Sequence, residues 1–118
     1  MSRSGVSRRI DLLGAADLAP GTMQLVWVDG GASPVLVVND EGSFRAVQGI
    51  CSHEYYELDR GLLNDSRVTC LLHLSSFDLA NGDVLEPPAD MPLAVYDVVV
   101  EDGRVLIEVP EGPLPVNE

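Results

Sequence analysis

Apolar positions along the chain come as short runs, separated by turns rich in glycine, proline and acidic residues. Met23 to Val28 and Ser33 to Val38 are two such runs, rich in Val and Leu. Asp29-Gly30-Gly31 lies between them, and this turn chemistry predicts a β-hairpin. Asn39-Asp40-Glu41-Gly42 marks the next turn, and Phe44 to Val47 opens a third strand. Near the other end, Leu93 to Glu101 and Arg104 to Val109 flank Asp102-Gly103, a favoured two-residue hairpin connection. Asp17-Leu18-Ala19-Pro20-Gly21 reads as a turn, and Met1 to Ile10, polar and basic, as a frayed arm. No stretch repeats its apolar positions at the helical period of about 3.6, so long helices are not expected. The fold class this pattern predicts is all-β.

The middle of the chain departs from that pattern. From about Gln48 to Asp83 it is turn-rich, and strand character survives only at Val68 to Leu72 and Phe77. Glu86-Pro87-Pro88-Ala89-Asp90-Met91-Pro92 follows, which suits neither a helix nor a central strand. The expected organisation is a single domain over 1–118, with a β framework from 1–47 and 84–118 and an inserted subdomain over 48–83. Having little apolar content of its own, the insertion needs another tie, and a metal centre would supply one.

Composition narrows the function classes. A length of 118 residues suits one domain, and 46 % hydrophobic residues suffice for a core. Nineteen acidic residues face seven basic ones, all Arg, and the resulting charge of −12 disfavours nucleic acid and anionic lipid as partners. The apolar runs fall far short of the roughly 20 residues that span a bilayer. No stretch of secretory length follows Arg3, Arg8 and Arg9, so a cytoplasmic protein is expected. No G-x-G-x-x-G follows a strand, which argues against a dinucleotide site.

Two cysteines and two histidines carry the candidate chemistry. Cys51-Ser52-His53 is followed by sixteen residues and then Cys70-Leu71-Leu72-His73, so each half offers one thiolate and one imidazole. From the residues alone three readings stay open. The four side chains are incidental, or they form a tetrahedral zinc site stapling an interaction module, or they hold a [2Fe–2S] cluster. Zinc spacings usually group like ligands together, whereas here they alternate. In a cluster, two Cys would bind one iron and two His the other.

The C-x-H, spacer, C-x-x-H arrangement resembles the Rieske signature. His73-Leu74-Ser75-Ser76-Phe77-Asp78 looks like that family's H-G-x-x-F-D, and Ala80-Asn81-Gly82 like its T-G turn. Pro87, Pro88 and Pro92 are similar to the proline loop that shields the cluster. The likeness covers nearly the whole chain and is greatest to the small Rieske-type ferredoxins of bacterial aromatic-ring-hydroxylating dioxygenases. It implies a Rieske-like antiparallel β framework with a small cluster-binding subdomain inserted. It also implies one [2Fe–2S] cluster per chain, held by Cys51, His53, Cys70 and His73, and no catalytic residue. Such a protein is a monomeric one-electron carrier between an NAD(P)H-dependent flavin reductase and a terminal oxygenase. The His pair leaves the cluster less negative than four thiolates would, which raises its potential.

Departures from the family keep neighbouring readings in play. Leu71 and Leu74 stand where the family often has Pro and Gly, and an H-L pair is similar to ferredoxins of di-iron aromatic monooxygenases. A small subunit of a nitrite-reductase-type enzyme is the further alternative. Tyr56 and Leu72 occupy the positions where high-potential relatives carry an extra pair of disulfide-bonded cysteines. By the same resemblance, Ser75 either tunes the cluster through its hydroxyl or faces water as an ordinary loop residue. Phe77 lacks the hydroxyl of the high-potential relatives and is expected in the core. Leu74 is a candidate docking contact. Glu54, Glu57 and Asp59 crowd close to His53 with Arg60 as their offset, a candidate acidic docking face.

Overall fold

The structure, a computed structural model, describes residues 7–28, 31, 33–51, 56–72, 74–87 and 91–110. The framework strands are β1 (Ser7–Gly14), β2 (Thr22–Val28), β3 (Ser33–Asp40) and β4 (Ser43–Gln48), with β9 (Val95–Glu101) and β10 (Arg104–Pro110) at the far end. Between them lie β5 (Leu62–Asn64), β6 (Arg67–Thr69), β7 (Ser76–Asp78) and β8 (Val84–Glu86). All pairing is antiparallel, in a six-stranded sheet of order β1-β10-β9-β4-β3-β2 and a four-stranded sheet of order β5-β6-β7-β8. The all-β expectation holds. Helical turns among the described residues are two short 3₁₀ segments, Ala15–Asp17 and Leu58–Arg60.

Local turn chemistry explains the hairpins. Glu41 and Gly42, at φ 53° and 101°, join β3 to β4, and Asp102 and Gly103, at 51° and 75°, join β9 to β10. Positive φ at both central residues matches the right-handed twist of the flanking strands. Asn39 secures the first of these turns. Its Oδ1 accepts from the Gly42 amide at 2.7 Å while its Nδ2 donates to the Leu18 carbonyl at 2.8 Å. The Pro20-Gly21 turn forms as expected, with the Thr22 amide donating to the Ala19 carbonyl at 3.2 Å and Gly21 at φ 78°.

The expected N-terminal arm needs correction. Ser7 to Ile10 begin β1, which pairs along β10 from Ser7↔Pro110 to Gly14↔Arg104; residues 1–6 lie outside the described ones. A register shift between Asp11 and Leu13 breaks the alternation and lets Leu12 and Leu13 both enter the core. Arg9, one of the basic residues that suggested a solvated arm, serves the pairing instead. Arg9 reaches Glu108 at 2.8 Å and Glu101 at 3.0 Å, and Arg104 reaches Asp11 at 2.8 Å. These pairs are exposed, so they set register more than they add stability.

Two cores meet at β3. Side chains alternate along a strand, and Val35 and Val37 point into one cluster with Ala46, Tyr96, Val105 and Ile107. Leu36 and Val38 point into a second with Val47, Cys51, Leu58, Val68, Cys70, Phe77, Leu79 and Leu93. The middle segment therefore does not lack apolar content. Its Leu58, Val68, Phe77 and Leu79 are fully buried, packed on the back of the large sheet rather than on one another alone. Polar bonds converge on Asp40 as well, and the one from Ser66 joins the two sheets. Ser66 Oγ donates to Asp40 Oδ2 at 2.6 Å, and Arg45 Nε donates to the same oxygen at 3.2 Å.

Two predictions follow from the cores. Phe77 is the largest fully buried side chain among the described residues, so Phe77→Ala should lower unfolding free energy by about 3–5 kcal/mol, read by urea denaturation. Tyr96 lies in the first core, and burial pushes its phenol up to about 12. Below pH 10 the folded and unfolded chains both keep this proton, so it adds no pH dependence. Above pH 10 the unfolded chain loses it while the folded chain holds it to about 12, so stability should fall across that window. The buried hydroxyl has no hydrogen-bond partner among the described residues, so Tyr96→Phe should flatten that fall without lowering stability at pH 7. Thermal midpoints of both proteins from pH 8 to about 12 check this.

Candidate metal centre

Each cysteine stands at the base of a closed loop. The first loop leaves β4 through Gly49 and Ile50. It is zipped by the Leu58 amide donating to Gly49 at 2.9 Å, the Ile50↔Glu57 bridge, and the Cys51 amide donating to Tyr56 at 3.0 Å. The second loop leaves β6 and returns into β7. The Cys70 amide donates to the Ser75 carbonyl at 2.8 Å, and Thr69 and Ser76 join hydroxyls at 2.9 Å just below. The two loops thus share one construction, a cysteine amide bonded to the carbonyl five residues on. Gly49 is required where the first loop crosses β2 and β3, because a Cβ there would collide with Leu25 and crowd Pro34.

Cys51 and Cys70 are 1 % and 2 % exposed, belong to the same apolar cluster, and are not joined by a disulfide. The fold therefore brings the two cysteines to one core. His53 and His73 lie outside the described residues, as does Glu54. Among the described residues no group of three or more His, Cys, Asp or Glu gathers. Of the remaining acids, Glu57 is paired with Arg60 at 3.3 Å, while Asp59 is exposed, so the loop's described charge is partly offset.

The donor set suits a metal cluster. Two buried cysteine sulfurs on matched loops are soft ligands of the kind that would hold iron, with the metal's charge offsetting theirs. A family model for the Rieske [2Fe–2S] domain matches residues 9–97. The chain belongs to the Rieske [2Fe–2S] domain family. Its cofactor is accordingly a [2Fe–2S] cluster, and the zinc reading falls. Among Rieske relatives, the chain is 38 % identical over 98 residues to the ferredoxin component of biphenyl 2,3-dioxygenase from Rhodococcus jostii, covering 83 % of this chain and 90 % of that one. It is 42 % identical over 90 residues to the 3-phenylpropionate/cinnamic acid dioxygenase ferredoxin subunit of Photorhabdus laumondii, covering 70 % and 86 %. In structure it matches a chain of the complex of reduced oxygenase and oxidized ferredoxin in carbazole 1,9a-dioxygenase. The TM-score is 0.78 at 30 % identity, over 83 % of this chain and 99 % of that one.

Residues around the loops divide between the foreseen and the unforeseen. Phe77 is buried in the core as expected. Ser75 does not face water; it is 1 % exposed, drawn inward because its carbonyl closes the Cys70 loop. Leu74 is exposed, at φ 65°. Gln48 went unnoticed in the sequence, since a polar residue ending an apolar strand carries no distinguishing signal. It is buried, its Nε2 donates to the Ile50 carbonyl at 3.2 Å, and its Oε1 accepts from the Ala94 amide at 2.7 Å. It therefore ties the base of the Cys51 loop to the chain emerging from the proline segment.

Gln48→Leu should strand both backbone groups, at about 1–3 kcal/mol for each. The expected outcome is a lower urea midpoint together with faster amide exchange at Cys51. Unchanged exchange at Cys51 would show that Gln48 does not brace this loop.

Proposed function

We propose that this protein is a one-electron carrier, taking electrons from an NAD(P)H-dependent flavin reductase and delivering them to a terminal aromatic-ring-hydroxylating oxygenase. The observation that carries this reading is the pair of buried cysteines on matched loops, in a chain that covers 90 % of a dioxygenase ferredoxin component. Relatives named as ferredoxin components are electron carriers, not catalysts, and the protein has no catalytic residue in this reading. Cys51 and Cys70 would hold one iron and His53 and His73 the other. Bound there, the cluster supplies a one-electron couple, within the span of about −150 to +300 mV for such ligation.

The protein's own residues supply the frame. Leu36, Val38, Val47 and Phe77 surround the cysteines with apolar side chains and keep water from the thiolate side. The cysteine amides are committed to Tyr56 and Ser75, so the loop bases are fixed before any partner arrives. We assign the cluster-binding subdomain to 48–83 on a base of 1–47 and 84–118, with β8 extending its sheet to Glu86. The high negative charge favours partners with basic docking faces, because opposite fields speed encounter. No helix among the described residues is long and apolar enough to cross a membrane, and a carrier fed by an NAD(P)H-dependent reductase belongs in the cytoplasm on this reading.

Purified native protein should be red-brown, with two irons and two acid-labile sulfides per chain. It should accept one electron from a flavin reductase and pass it to an oxygenase. Replacing any one of Cys51, His53, Cys70 or His73 by Ala should abolish the native absorption while leaving the β-sheet circular dichroism largely intact, since both cores persist. Colourless protein with stoichiometric zinc would overturn the reading.

A further inference from the structure

Leu74 bears two unfavourable features at once. Five described residues other than glycine have positive φ, and four of them, Glu41, Asp65, Ser66 and Asp102, occupy the tight turns of hairpins. Leu74, at φ 65°, is the aliphatic one, and a branched apolar side chain is poorly tolerated in that region. Its side chain is also 61 % exposed, more than any other large hydrophobic among the described residues. The loop enforces this conformation. The Leu74 amide donates to the Cys70 carbonyl at 2.8 Å while the Cys70 amide donates to Ser75 at 2.8 Å, so the backbone on both sides of Leu74 is fixed. Glycine would relieve the strain and the exposure together.

Strain held at an exposed apolar residue points to contact with something absent from the free protein. Leu71 and Leu72, 42 % and 44 % exposed, stand on the same loop. Three uncharged leucines thus flank His73 in a chain of net charge −12. An electron leaving by the His73 loop requires the acceptor to cover these leucines. A brief encounter needs only a small interface, which an apolar centre with a charged surround can provide.

We propose that Leu74, with Leu71 and Leu72 beside it, is the docking contact for the terminal oxygenase, and that it is held strained so that its side chain projects into an apolar recess of that partner. The proposal rests on the electron-carrier reading above. It makes Leu74 a specificity-determining residue whose best substitute for stability is a poor one for binding.

The test uses the cluster-loaded protein and a terminal aromatic-ring-hydroxylating oxygenase that the parent protein reduces, with Leu74→Gly and Leu74→Ala. Calorimetric titration should show both variants binding the oxygenase about tenfold more weakly, equivalent to about 1.4 kcal/mol. Thermal midpoints should separate them. Leu74→Gly should rise by about 4 °C as strain is released, whereas Leu74→Ala, still strained, should stay close to the parent. Unchanged affinity in either variant overturns the proposal, as does a lower midpoint for Leu74→Gly. Reduction of each variant by the flavin reductase, and delivery to the oxygenase by the parent, are measured alongside. If the parent delivers electrons normally while the variants bind as tightly as it does, the docking proposal fails and the carrier reading stands.

Discussion

A strand buried on both faces governs this structure. Because side chains alternate with a period of two, β3 commits Val35 and Val37 to one core and Leu36 and Val38 to the other. A slip of one residue against β2 or β4 would exchange the two sets and misplace every layer above them. β4 follows the same rule, with Ala46 in the first core and Val47 in the second. Cys51 follows shortly after and belongs to that second core, as does Cys70 from the other sheet. The meeting of two cysteines distant in sequence is thus a consequence of strand register in the large sheet.

What the sequence made legible was what local chemistry determines. The hairpins at Glu41-Gly42 and Asp102-Gly103 depend on two residues each, and those residues are the ones that accept positive φ. The C-x-H and C-x-x-H spacings are local too. What stayed hidden was settled at long range. β1 is identified by its partner β10, and Arg9 and Glu108 stand 99 residues apart, with a bulge obscuring the alternation between. The second core is assembled from β6 and β7, three residues each, too short to display a period. Val68 and Phe77 show strand character in the sequence, but the core they enter does not, because their neighbours in space come from β3 and β4. The burial of Ser75 and of Gln48 is hidden for the same reason, since each is drawn in by what its backbone or amide bonds to.

The second core also changes what a metal does here. Small domains that depend on metal to fold lack an adequate core without it. In this protein Leu58, Val68, Phe77 and Leu79 already tie the small sheet to the large one, and Ser66 adds a bond to Asp40. The cluster then needs only to complete loops whose bases are closed. That arrangement suits repeated oxidation and reduction, since the supporting fold does not rest on the state of the iron.

The pairing of Ser7 with Pro110 has a separate consequence. The first and last described strands lie side by side at one edge of the large sheet, so Ser7 and Pro110 stand about 5 Å apart. A domain with adjoining ends can be set into a surface loop of a larger host without stretching either chain. It can equally be recircularised, joining the ends and reopening the backbone at Asp102-Gly103, because the sheet order does not depend on which connection is cut. The same geometry gathers the first and last described strands at the edge of the sheet opposite β2, so both entry and exit strands share one side of the framework.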